Sequence, residues 1–294
     1  MKKVIKILLT ALLLATAVFS FAGCGEMDLE YTKKPDGTYK AILDPASLAG
    51  RVVFPETHKG KPVTEIDHSL GDPFSASTVI IPPTIKEVSS GTLLRFPNAL
   101  EYQDGITYLS GWAIDCEPGK TLIQPREGTI GLAGRFLANN PDATTLECPS
   151  TLRYMATYAL AECSNLLTVK LNEGLEYLGY GAFTRCTSLK TLILPDSLTA
   201  ISSGVFWECS SLTRMVLPVS VTEVYNDTFY CCGSLTLFYK GTKEQFDAII
   251  SHDTMMGEIL QLKRRCYFSP EMPSENPSNY WYYLDGYPMY WSEF

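Results

Sequence analysis

Nine cysteines in 294 residues are the side chains best able to do chemistry here, and four of them keep one interval. Cys163, Cys186, Cys209 and Cys232 each lie 23 residues from the next. Thiols can ligate metals, form disulfides or attack electrophiles. A zinc centre needs ligands converging on one point, usually as close cysteine pairs. One cysteine per 23 residues, with Cys231 adjacent to Cys232, does not supply that. Parallel inward side chains one repeat apart are also poorly aimed for a disulfide. The expectation is buried free thiols acting as small apolar side chains, with Cys116 and Cys266, outside the column, left open.

Other chemistry is thinly represented. His58, His68 and His252 stand in unrelated contexts with no nucleophile motif beside them. There is no G-x-S-x-G, H-E-x-x-H, glycine-rich phosphate loop or EF-hand pattern. The sequence reads as a non-enzyme with no cofactor and no metal.

The elements that must position these residues are repeats. Leu160, Phe183, Phe206 and Phe229 follow the same 23-residue step. So do Leu166, Leu189, Leu212 and Leu235, and the column Val169, Leu192, Met215, Phe238. Self-similarity at such a period means a solenoid, with each unit adding one coil to a continuous core. In "LKTLILP", Leu192 and Leu194 alternate with Thr191 and Ile193, as in a short strand with one face inward. Pro195 ends it, having no amide hydrogen for a ladder. Leu198 and Ile201 form a bend, and Gly204, Phe206 and Cys209 a tight turn of 3-10 or irregular type. Between Ala99 and Pro149 the period breaks, which predicts an irregular part of the stack.

These residues resemble the BspA-like leucine-rich repeat family, whose units read close to P-x-x-L-x-x-I-x-x-x-A-F-x-x-C-x-x-L-x-x-L-x-L. Pro195, Leu198, Ile201, Phe206, Cys209, Leu212, Met215 and Leu217 fill that pattern. "GKPVTEI" (60–66) resembles the family's early coil and "YKGTKEQFDAII" (239–250) its exit segment, so the likeness runs from about Leu29 to Trp291. Asn172 departs from it by replacing Pro, and the Leu160 unit lacks the family's Phe. The resemblance implies a right-handed leucine-rich repeat solenoid of short parallel strands on a bacterial cell surface. It implies adhesion or partner binding and no catalytic residues.

In chain order, 1–23 is similar to a lipoprotein signal: Lys2, Lys3 and Lys6, an apolar run, then "FAGC" with Cys24 as the lipidated residue. An ordinary signal peptide or a membrane anchor is the alternative, since the run is nearly long enough to span. The expected location is extracytoplasmic, with acyl chains on Cys24 holding the protein to the membrane. Without its three signal lysines the net charge moves from −8 to −11, which disfavours nucleic acid and anionic lipid as partners. Residues 24–28 form a short tether and 29–47 a cap hairpin turning at Asp36-Gly37. The solenoid covers 48–241, with an inserted hairpin at about 105–127 turning at Glu117-Pro118-Gly119. Residues 242–294 form a helical exit segment, with a capping box from Thr242 to Gln245 and Phe246, Ile249 and Ile250 on one face, then a second helical piece and an aromatic hairpin.

Two surfaces stand out as binding candidates for an unidentified protein or glycan. Counting outward positions at the 23-residue step groups Ile193, Arg214, Val216, Leu237 and Tyr239 on one face, an apolar cluster of the kind that marks a partner site unless the exit helix covers it. In the tail, Trp281, Tyr283, Tyr290 and Trp291 could stack on sugars, or could close the end of the solenoid.

Overall fold

The computed structural model describes residues 29–43, 49–68, 73–232, 234–251, 264–271, 279–284 and 287–290. The proposed signal, tether and Cys24, the helical piece at 255–264 except Arg264, His252, the Asp285-Gly286 turn and Trp291 lie outside them.

Within the repeat region every coil has two strand-bearing flanks and a ridge of tight turns. Strand Thr191–Ile193 lies on the first flank and Ala200–Ile201 on the second. Leu192, Leu194, Leu198, Ile201, Phe206 and Cys209 all point inward and are buried. Except at one junction, the flank strands pair in parallel with the strand one coil on, as Thr145 with Thr168 and Tyr154 with Tyr177. Along the ridge, Phe183 N donates to Val205 O at 2.9 Å and Phe206 N to Thr228 O at 3.0 Å. The ridge turns on left-handed backbone at two positions per coil: Arg135, Tyr158, Gly181, Gly204 and Asp227, then Asn139, Glu162, Arg185, Glu208 and Cys231, all with φ between 54° and 66°. Eight of these ten are not glycine, so the surrounding hydrogen bonds hold a conformation those residues rarely choose.

Like side chains do lie over one another. Phe183 and Phe206 stack with centroids 5.6 Å apart, and Phe206 and Phe229 at 5.8 Å. The cysteines make a matching column of free thiols. Cys163 Sγ donates to Leu137 O at 3.0 Å, Cys186 to Leu160 O at 3.2 Å, and Cys209 and Cys232 to Phe183 O and Phe206 O at 3.0 Å each. The thiol therefore packs as a small hydrophobe and also satisfies a ridge carbonyl.

Three expectations need correction. First, the period expected to break from Ala99 to Pro149 does so only up to about Leu122. Leu122 pairs with Thr145 and Gly131 with Tyr154 at the same 23-residue step. Asn140 stands at the cysteine position there, and its Oδ1 accepts the amides of Asp142 (2.9 Å) and Ala143 (3.0 Å). Gly131 is required because the Trp112 ring would lie 2.5 Å from a Cβ.

Second, the inserted segment is a meander of Glu101–Gln103, Ile106–Leu109 and Trp112–Cys116, turning at Asp104-Gly105 and Ser110-Gly111, all four with positive φ. The turn expected at Glu117-Pro118-Gly119 is present, with Gly119 at φ 84°, but it leads to Leu122–Ile123, the first rung of the first flank, rather than closing the hairpin.

Third, the last repeat is one residue short. Met215 pairs with Leu237 and Leu217 with Tyr239, a step of 22. A slip of one residue exchanges the faces of a strand. Leu237 and Tyr239 therefore point into the main core, and Phe238 leaves the Met215 column for the outer face.

At the N-terminal end, Leu29–Lys33 and Tyr39–Leu43 form a hairpin, and the second strand runs parallel to Lys61–His68. Glu65–Ile66 pairs with Glu87–Val88, and Ser89 bridges Gly134 on the ridge. These residues enclose a second core containing Phe54, Phe96, Trp112 and Tyr154. At the other end, Thr242 and Gln245 form the capping box of helix Lys243–Asp247. Phe246 is buried 5.3 Å from the Tyr239 ring. The shared helical face stops there, because Ile250 belongs to strand Ile250–Ser251, paired with Glu223–Val224. Among the described residues no helix is long and apolar enough to cross a membrane.

Candidate functional site: a cleft where both ladders stop

Both flank ladders are interrupted at one junction. On the first flank, Leu122–Ile123, Thr145–Glu147 and Thr168–Lys170 form one sheet, and a separate sheet starts at Thr191–Ile193. On the second, a sheet ends at Tyr177–Leu178 and another starts at Ala200–Ile201. Thr168 N donates to Thr144 O at 3.1 Å, and two coils later Arg214 N donates to Lys190 O at 3.2 Å. Lys190 and Thr191 make no such bond to Leu167. The ridge, by contrast, continues through the junction, with Gly181 N on Ser203 O at 3.1 Å and Arg185 N on Trp207 O at 2.8 Å.

The strands stay neighbours across the junction but close no ladder, and a cleft of about 510 Å³ lies there on the first flank. Leu167, Val169, Leu171, Ile193 and Pro195 give it an apolar lining, with Lys170, Glu173 and Lys190 among its polar groups. Leu167 is 54% exposed and Ile193 37%. Val169 and Leu171 are only partly buried, whereas their counterparts Leu146, Leu192 and Leu194 are fully buried. Side chains cross the junction where the backbone does not. Asp196 N donates to Glu173 Oε2 at 3.0 Å, and Ser197 Oγ donates to Leu175 O. Asn172, standing where other units have Pro, turns back and donates Nδ2 to Ser150 O and Leu152 O at 3.0 Å each.

Of the five residues predicted to form an apolar partner face, the structure keeps Ile193 exposed beside this cleft. Arg214 is half-buried, with its guanidinium 6.0 Å from the Tyr290 ring centroid. Val216, Leu237 and Tyr239 are buried and offer no surface. Leu237 and Tyr239 are inward because of the one-residue shortening, and Val216 is covered from outside. That cover is not the exit helix. Strand Tyr280–Leu284 follows Arg264–Phe268 in the same sheet, and Tyr287–Tyr290 folds back antiparallel to it. Val216, Phe238, Cys266, Trp281 and Tyr290 then close a small core of their own. Phe238 lies 5.6 Å from Trp281 edge-on and 5.1 Å from Tyr290. The Trp281 indole donates to Tyr239 O at 2.8 Å. Trp281 and Tyr290 are therefore packing groups rather than an open sugar platform. The side chains of Tyr283 and Trp291 lie outside the described residues.

Titratable groups elsewhere have structural explanations. Burial pushes the Cys163 and Cys148 thiols up to about 12 and the Cys116 thiol up to about 11. Burial also raises the Glu87 carboxyl, against the hydrogen bonds it accepts from Thr157 N (2.8 Å) and Thr157 Oγ1 (3.1 Å). Glu87 thereby ties the N-terminal sheet to the ridge beside a cavity of about 350 Å³. His58 stacks on Tyr31 at 3.8 Å. Among the described residues no three His, Cys, Asp or Glu side chains are grouped to hold a metal ion.

Residues 134–248 match the family described as the BspA type leucine rich repeat region, in 6 copies. No curated protein matches the chain. Among solved structures, a leucine rich cell surface protein from Faecalibacterium prausnitzii A2-165 is 14% identical, with a TM-score of 0.51, over 77% of this chain and 96% of that one. A leucine-rich repeat protein from Eubacterium ventriosum ATCC 27560 is 11% identical, with a TM-score of 0.46, over 74% and 85%. The first of these likenesses is one of fold.

Proposed function

Residues 134–248 are a BspA-type leucine-rich repeat region, and from that premise we propose that this is a binding protein displayed outside a bacterial cell. It recognises a protein partner through the cleft between Thr168–Lys170 and Thr191–Ile193. The observation that carries this reading is the interruption of both ladders at one junction. There the edge of Thr191–Ile193 presents unpaired backbone groups beside exposed Leu167 and Ile193. Apolar side chains of a partner can enter the cleft against Leu167 and Ile193, while the unpaired backbone beside them offers a hydrogen bond to fix its orientation. Acyl chains on Cys24 hold the protein to the membrane.

The full chain, solubilised in detergent, is to be tested against a panel of immobilised extracellular matrix proteins. The reading expects a saturable interaction that Ile193→Asp weakens at least ~10-fold without lowering Tm, since replacing an exposed residue leaves stability nearly unchanged. Binding unaffected by Ile193→Asp and by Leu167→Asp would place the contact elsewhere. For the anchor, Cys24→Ala is expected to release the chain from the membrane fraction, and continued retention would contradict lipidation.

A further inference from the structure

The turn ridge carries a second concavity, of about 360 Å³, that the cleft does not use. Arg135, Tyr158, Glu162, Tyr180, Arg185 and Trp207 line it. The tyrosines form a corner, with ring centroids 5.2 Å apart and planes at 87°. Two ridge glycines leave room for them. A Cβ on Gly181 would lie 2.5 Å from the Tyr158 ring, and one on Gly204 would lie 3.5 Å from the Tyr180 ring. Tyr180 nevertheless keeps 46% of its surface exposed. On the far side, Trp207 packs 4.5 Å from Tyr230 and donates Nε1 to Glu208 at 2.9 Å.

The two guanidiniums differ. Arg185 is held between Glu208 at 2.8 Å and Glu162 at 3.8 Å. Arg135 lies over the Tyr158 ring at 5.2 Å and makes no ion pair among the described residues. A charged fork poised over half-buried Tyr158 and beside exposed Tyr180 in a concave site is suited to one carboxylate, bound in bidentate fashion. The neighbouring Glu162 and Glu208 and a net charge of −8 disfavour a polyanion. Ring faces meeting at a corner accept the C–H face of a pyranose, while a few polar groups fix its orientation.

We propose that this groove binds a saccharide whose pyranose carries a carboxylate, a uronic-acid-type sugar. Tyr180 stacks on the sugar ring, Tyr158 borders it edge-on, and Arg135 pairs with the acid. The site is separate from the flank cleft and does not depend on it.

Titration calorimetry of the full chain in detergent, with glucuronate- and galacturonate-terminated disaccharides and their neutral glucose and galactose counterparts, tests this. Expected is binding of an acidic sugar that Tyr180→Ala weakens at least ~10-fold, while Arg135→Gln lowers the acidic sugar to the level of the neutral one. Ile193→Asp, on the other side of the coil, should change nothing. Unaltered melting of both ridge variants would show that the loss is local. No binding of either uronate, equal binding of acidic and neutral sugars, or indifference to both ridge substitutions would overturn the proposal.

Discussion

Met215 and Leu237 are register partners 22 residues apart, although Leu192 and Met215 are 23 apart. That one-residue difference puts Phe238 on the outer face, where Trp281 and Tyr290 cover it. Phe238→Ala should therefore cost about 3–5 kcal/mol, the usual loss for a large aromatic in a closed core. Limited proteolysis should then cleave the tail before the repeats. A tail as resistant as in the parent would show that Phe238 does not hold it.

The cysteine column makes the protein sensitive to alkali. The folded state keeps Cys163 and its neighbours protonated, with Cys163 raised to about 12 and Cys186 and Cys209 also raised by burial. In the unfolded chain these thiols ionise near their ordinary value of about 8.5. The unfolded state therefore binds fewer protons above that value, and stability falls as pH rises from there towards the folded values. Denaturant midpoints between pH 8 and pH 10.5 should decline, and Cys186→Ala with Cys209→Ala should flatten the decline. At pH 8 the exposed Cys231 should react with maleimide while the column does not.

Glu87 has the opposite location but the same sign. Its raised carboxyl favours the fold while protonated, so its contribution is greatest below the unfolded value of about 4.3. That contribution is lost as pH rises through the folded value. Glu87→Gln should therefore remove part of the pH dependence of Tm just above pH 4.3. Gly179→Ala should destabilise by about 1–3 kcal/mol, because a Cβ there would lie 2.5 Å from both Glu87 Oε1 and Thr157 N. A neutral Gly179→Ala substitution would mean that the N-terminal sheet does not press on the ridge.

Much of this was legible in the sequence because side-chain columns repeat at a fixed step. Phe183, Phe206 and Phe229, and the cysteines, stack as that step requires. The earlier coil was hidden because Asn140 and Ala143 occupy the positions that Cys163 and Leu166 mark one coil on. The outer face was misread because a single missing residue after Leu235 reverses inside and outside, and a 23-residue count passes over it. The junction left no signal in the side-chain columns, since Val169 and Leu192 keep theirs while the hydrogen bonds between their strands are absent; only Asn172 in place of Pro departs there. Side-chain periodicity reports which residues face inward; it does not report whether neighbouring strands close a ladder.

Amide hydrogen exchange, resolved by residue across the first flank, bears most directly on the cleft. Thr168 and Arg214 donate to the preceding coil, so their amides should be protected, while Lys190 and Thr191 should exchange far faster. Equal protection at Thr168, Thr191 and Arg214 would mean one unbroken sheet, with no open edge for a partner to use.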